Sequence, residues 1–147
     1  METELKKAIE RAVKNEPLAK AMGMELVELG PGRSAVAMTY DPVKMDNIYG
    51  RAHGGAVFAL IDEAFETASQ TDGTVAVALN VNVTYVAAPG AGDRLRAEAR
   101  MASRTRKTSL FDITVTDGDG ALIARCAALA YRTGKSALVS LKKNEKE

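Results

Sequence analysis

Between Asn47 and Asp62 the chain reads Asn-Ile-Tyr-Gly-Arg-Ala-His-Gly-Gly-Ala-Val-Phe-Ala-Leu-Ile-Asp. His53, Gly54 and Gly55 stand where a stretch without regular period gives way to an apolar run, which is where a helix begins. The first turn of a helix carries unpaired amide N–H groups and a partial positive charge. Glycine there lets a ligand come close to the backbone. A carbonyl oxygen set against the Gly55 N–H would be polarised, and the oxyanion formed on attack stabilised by roughly 3 kcal/mol. Asp62 offers the complementary group, as a general base for water or as a nucleophile attacking the carbonyl to give a mixed anhydride. The residues leave both routes open.

Spacing limits how these groups can cooperate. Gly55 and Asp62 are seven positions apart, so they share a helix face but are separated by about 10 Å along the axis. One helix cannot both hold a carbonyl and attack it across that span. Two copies lying antiparallel about a two-fold axis would set Gly55 of one chain against Asp62 of the other, giving two equivalent composite sites.

The elements that must position this segment follow from periodicity. Gly54 to Gln70 is the strongest helix candidate. Six consecutive apolar residues, Ala56 to Ile61, cover its whole circumference, so protein must surround its first half. Asp62, Glu63 and Glu66 interrupt that coat. Residues 2 to 15 form a helical arm, with Leu5, Ala8, Ile9, Ala12 and Val13 at helical spacing. Met24 to Leu29 and Arg33 to Tyr40 are strands joined by a Gly-Pro-Gly turn, and residues 41 to 53 are a loop. From Thr74 the period becomes two: strands are expected over 74–88, 94–100, 109–116 and 121–132. Asp117 to Gly120 is a hairpin turn and Ala88 to Gly92 another connection. Residues 135 to 147 are expected to be a loose tail. The pattern gives an α+β class, an antiparallel curved sheet wrapped around a central α-helix, in one domain spanning 1–147.

The segment resembles the PaaI-like branch of the hotdog-fold acyl-CoA thioesterases. The likeness rests on an amide residue six before the histidine (Asn47), the His53-Gly54-Gly55 turn and the carboxylate nine after the histidine (Asp62). It continues through Asn82-Val83-Thr84-Tyr85 and the bend from Pro89 to Asp93, and the order of segments from Gly23 to Arg132 is similar throughout. The resemblance implies a hydrolase that cleaves acyl-CoA to a free acid and CoA, as a homodimer that often pairs into a homotetramer. It assigns Asn47 to hold the thioester or the attacking water, Gly55 to donate to the carbonyl, and Asp62 to act as base or nucleophile. His53 would shape the loop rather than transfer protons. Two departures stand out: relatives place a hydroxyl residue where this chain has Glu66, or a serine near Ala78, leaving Thr67 and Ser69 as substitutes for orienting water.

The basic run Arg104, Arg106 and Lys107, with Thr108 and Ser109 beside it, is either a charged hairpin tip or a grip for the phosphates of coenzyme A, and the resemblance favours the grip. Gly54 joins the substrate-binding set. Ile48, Tyr49, Val57, Phe58 and Ile61 are the apolar residues available for an acyl pocket. Glu63 and Glu66 are expected to be solvated or salt-bridged. Two other functions would use the same pocket: a hydratase or dehydratase of hydroxyacyl thioesters, which wants a histidine and carboxylate acting as a pair, and a non-catalytic acyl-CoA sensor.

Composition closes off other classes. A net charge of +1 gives no field to gather nucleic acid. No apolar run approaches the roughly 20 residues of a membrane helix, and the charged opening METELKKAIERAVKNE does not resemble a signal peptide. A cytoplasmic protein is expected. One cysteine and one histidine give no disulfide framework and no zinc cluster, so neither a metal nor a cofactor is expected beyond the CoA portion of the substrate.

Overall fold

The computed structural model describes residues 1–144. In chain order the elements are α1 (Thr3–Asn15), α2 (Pro17–Met22), β1 (Glu25–Gly30), β2 (Arg33–Thr39), α3 (Pro42–Met45), α4 (Gly54–Ser69), β3 (Thr74–Tyr85), β4 (Arg94–Arg104), β5 (Thr108–Thr116), β6 (Leu122–Ser136) and α5 (Ala137–Asn144). All strand pairings are antiparallel, in the order β1-β2-β4-β5-β6-β3.

This sheet curls around α4, whose apolar coat explains its place. Leu60, Ile61, Ala64 and Ala68 are fully buried, packed with Val36, Met38, Leu95, Phe111, Ile113 and Val115 from the inner sheet face. Phe65 meets Phe111 edge to face at 5.5 Å, an arrangement that suits the ring quadrupoles. Two hydroxyls fix the helix against β2: Ser34 donates to the Ala64 carbonyl at 2.6 Å, and Thr67 donates to Ser34 Oγ at 2.8 Å. Buried polar atoms satisfied in this way set one register between helix and sheet.

Three expectations about the periphery need correction. Residues 135–147 do not form a loose tail as far as residue 144. Strand β6 continues to Ser136, and α5 then packs Ala137, Leu138 and Leu141 against Leu5, Ile9 and Val13 of α1. Lys142 and Glu4 pair at 2.7 Å across this contact, and positions 145–147 lie outside the described residues. The helical arm is thus docked against α5. The loop at 41–53 contains α3, started by Asp41, whose carboxylate accepts from the Val43 N–H, and closes with a bridge between Asp46 and Ala52. The sequence reading has no counterpart for α2, whose six residues run from Pro17 at its first position to Gly23 at φ +64°.

Strand β3 is an edge of the sheet, twelve residues long, and it leaves Val77 and Leu79 about half exposed. Edges of soluble monomers are normally short, charged or bulged. This one is bulged near Val75 and Leu79, yet it is long, carries no charge and leaves Val77 and Leu79 uncovered. It runs beside α4: Val77 and Ala78 lie by Asp62, and the Tyr85 hydroxyl donates to the Gly54 carbonyl at 3.0 Å.

Candidate active site on the exposed stripe of the central helix

Only one stripe of α4 escapes the sheet. Gly55 is exposed, Phe58, Ala59 and Asp62 are half-buried, and Glu66 is exposed, so these residues share one face at spacings of three and four. The apolar coat left the direction of that stripe open; the wrap of the sheet sets it. Of the apolar residues expected to line an acyl pocket, Val57 and Ile61 face the core instead. Phe58 lies on the stripe, while Ile48 and Tyr49 stand almost fully exposed on the preceding loop.

The start of the helix is capped by His53. Its Nδ1 accepts from the Gly55 N–H at 2.8 Å, which requires the ring proton to sit on Nε2. The Gly55 amide is thus engaged rather than vacant. A carbonyl oxygen can take it only by displacing an exposed imidazole that shares nothing else with the helix. The Gly54 N–H has no protein partner among the described residues. A Cβ on Gly54 would lie 3.1 Å from the Tyr85 ring, so any larger residue would push that ring away from the helix start. Tyr85 is a site residue to which sequence reasoning gave no role.

Loss of a side-chain cap costs about 0.5–2 kcal/mol. His53→Ala is therefore expected to lower unfolding free energy by about that amount while changing kcat by less than about tenfold, because general acid–base roles cost 10²–10⁴. Urea denaturation and steady-state kinetics on one preparation check both halves. A loss of a hundredfold or more in kcat would return His53 to proton transfer.

Asn47 organises the loop that leads into the helix. Its Oδ1 accepts from the N–H of Tyr49 at 2.8 Å and of Arg51 at 3.3 Å, an Asx turn that orients the amide with its NH2 group outward as a donor. The Tyr40 hydroxyl, hydrogen-bonded to Asp46, anchors the neighbouring position.

Asp62 has no hydrogen-bond or ion-pair partner among the described residues. Burial pushes its pKa upward. It opens on a pocket of about 220 Å³ lined also by Phe65, Glu66, Ser69, Ala76 and Val77. Ser69 reaches that pocket, though its hydroxyl donates to the Glu66 carbonyl at 2.9 Å. Thr67 points the other way, into the core, so it cannot orient a water at Asp62.

Glu63 contradicts the expectation of a solvated or salt-bridged group. It is 4% exposed and forms no ion pair among the described residues. Burial foremost, then the charge of Glu16 and a hydrogen bond shared with it, then the charges of Glu66 and Asp62, push its pKa up to about 8.

The basic run is the tip between β4 and β5, held at the far end of α4 from Gly55. Asp72, just past the helix, pairs with Arg132 at 2.9 Å and with Arg104 at 3.2 Å. Arg132 also donates to the carbonyls of Thr105 and Arg106. Arg106 is exposed and has no ion pair among the described residues. Lys107 lies near the Tyr131 ring, Thr108 shares its hydroxyl with Thr105, and Ser109 is buried. Of the five expected phosphate contacts, Ser109 is therefore turned inward and Arg104 is committed to Asp72. Along the described residues no helix is long and apolar enough to cross a membrane.

A family model described as the thioesterase superfamily matches residues 49–124. The acyl-coenzyme A thioesterase PaaI of Escherichia coli K12 is 30% identical over 120 residues, covering 82% of this chain and 85% of its own length. The structure of the E. coli PaaI protein superposes with a TM-score of 0.85 at 27% identity, covering 90% of this chain and 96% of that one. The TT0310 protein of Thermus thermophilus gives 0.75 at 35% identity, over 80% and 98% of the two chains. The Streptococcus mutans protein smu.793, solved bound to acetyl CoA, gives 0.73 at 30% identity, over 77% and 90%.

Proposed function

This chain belongs to the thioesterase superfamily, as a thioester hydrolase of the PaaI-like hotdog branch, and from that premise we propose that it hydrolyses acyl-CoA at a site shared between two protomers. The observation that carries this reading is the exposed stripe of α4. It joins a helix-start amide to a carboxylate without a partner, alongside an apolar strand edge.

Pairing of β3 with its symmetry mate would cover that edge and lay the two α4 helices antiparallel. Gly55 of one chain then faces Asp62 of the other. The basic tip favours the same arrangement. It lies by Asp72, beyond the C-terminal end of α4, so a ligand reaching from it to a helix start would meet the partner's Gly55 rather than its own. No metal or other cofactor takes part in this scheme.

In the reaction the thioester carbonyl displaces His53 from the Gly55 N–H, and the Asn47 NH2 group steadies the thioester or the water. As general base, Asp62 takes a proton from water while the water oxygen bonds to the carbonyl carbon. The carbonyl electron pair moves onto the oxygen held by Gly55. Collapse breaks the C–S bond, and the thiolate recovers the proton from Asp62, releasing CoA and the acid. As nucleophile, Asp62 would bond to the carbonyl carbon itself and break the C–S bond, expelling the CoA thiolate; water would then cleave the anhydride, giving up a proton to the thiolate. Single turnover in ¹⁸O water tests for this second route, because label in Asp62 arises only when water attacks the Asp62 carbonyl of that anhydride.

Release of free thiol from a panel of short, medium, long and aryl acyl-CoAs tests the function directly. Tight binding without thiol release would favour a sensor, and loss of water from a hydroxyacyl-CoA would favour a dehydratase. Arg106→Ala is expected to raise KM for acyl-CoA about three- to tenfold with kcat unchanged, because an exposed phosphate contact contributes to ground and transition states alike. The same substitution should leave KM unaltered for an acyl-pantetheine, which lacks the nucleotide phosphates.

A further inference from the structure

We propose that Glu16, Glu63 and Glu66 form a binding site for a hard divalent cation that ties the junction of α1 and α2 to the central helix. One carboxylate oxygen from each residue lies within 4.8 Å of the others. They come from two separate parts of the chain. Glu63 and Glu66 are one turn apart on α4, while Glu16 stands in extended conformation between two helices, where it ends α1 and precedes Pro17.

Proximity of acidic groups is common on surfaces and would not suffice. What distinguishes this cluster is Glu63. Its side chain is 4% exposed, and its Oε1 is buried with no hydrogen-bond partner. Leaving a buried carboxylate oxygen without a donor is costly, and no lysine or arginine pairs with any of the three among the described residues. A cation in their midst would give Glu63 Oε1 the partner it lacks and offset the repulsion among the three carboxylates.

Donor chemistry sets the class of ion. Three carboxylates and no sulfur or imidazole favour Ca²⁺, Mn²⁺ or Mg²⁺ over zinc or copper. Opposite ligands of a Ca²⁺ ion lie about 4.8 Å apart, twice a bond of about 2.4 Å, so these oxygens can embrace Ca²⁺ with little movement. Mg²⁺, with bonds near 2.0–2.1 Å and a firmly held water shell, fits less readily. Glu66 is exposed, so water can complete the coordination sphere. The sequence shows no motif for this site, because Glu16 meets the other two only through the fold.

The site adjoins Asp62, and direct binding of the ion tests it without reference to hydrolysis. Full-length protein stripped with chelator is titrated with Ca²⁺ by calorimetry and with Mn²⁺ by electron paramagnetic resonance. One ion per chain is expected. At a hundredfold excess over Kd, Ca²⁺ should raise Tm by about 5–10 °C. Glu63→Gln and Glu16→Gln should each weaken binding by about tenfold or more, as loss of a charged ligand does. Glu16 is only half-buried, at a junction between helices, so the second variant keeps its fold should the first lose it. Failure to bind any of the three ions at millimolar concentration overturns the proposal, as does binding that both variants leave unchanged.

Discussion

Asp62→Asn is expected to reduce kcat on acyl-CoA by about 10²–10⁴ while leaving KM within a fewfold of its original value. Asparagine keeps the shape and fills the same space beside Phe65 and Val77, so the packing of α4 is untouched. What disappears is the charged oxygen proposed to take a proton or attack carbon. The wild-type pH profile gives a second measure. Burial raises the Asp62 pKa, and the groups facing it are Glu63 and Glu66 on its own helix and Cys126 on β6. A base or nucleophile works only when ionised. Activity should therefore fall as pH drops through a pKa displaced upward from that of a free aspartate, and the residual rate of Asp62→Asn should lack that limb. Full activity in Asp62→Asn would remove the carboxylate from the mechanism altogether.

The parts of this molecule legible in its sequence are those where one local pattern had one structural meaning. Ala56 to Ile61 could only be a surrounded helix. Strict alternation in β5 could only be a strand with Phe111, Ile113 and Val115 inward. The two-strand, helix, four-strand order followed from these. The failures share a different cause. A helix apolar all round carries no direction, so the inward turn of Val57 and Ile61 depended on where the sheet closed. Helix α5 is short and basic, and it becomes a helix at a cost that only packing against α1 offsets. The tail beyond Ser136 therefore looked free. Glu63 looked like one more charge after an apolar run, because its burial against Glu16 is a long-range contact. His53 was correctly placed at a helix start, yet histidine is an uncommon cap. Its hold on the Gly55 amide became visible only through the 2.8 Å contact.

Mixing two inactive variants provides the most demanding check on where the site lies. Gly55→Pro removes the amide N–H at a position in the first helical turn, where proline's fixed φ is tolerated. Outside the helix itself, a Cβ at this position meets only the His53 ring, which is exposed and can move aside. In the proposed dimer, Gly55→Pro homodimers would lack the oxyanion donor in both sites, and Asp62→Asn homodimers would lack the carboxylate in both. If each site joins Gly55 of one chain to Asp62 of the other, a mixed dimer concentrates both defects in one site and leaves the second intact. Random mixing makes half of the dimers mixed, each with one working site of two, so about a quarter of wild-type activity should return. If each site used Gly55 and Asp62 of a single chain, every site in the mixture would carry a defect and nothing would return. Refolding the two variants together and following thiol release distinguishes these outcomes. Leu79→Lys supplies the control on assembly. A charge on the exposed apolar edge of β3 should split the proposed dimer in analytical ultracentrifugation and abolish turnover with it, although Leu79 lies more than half exposed in the protomer.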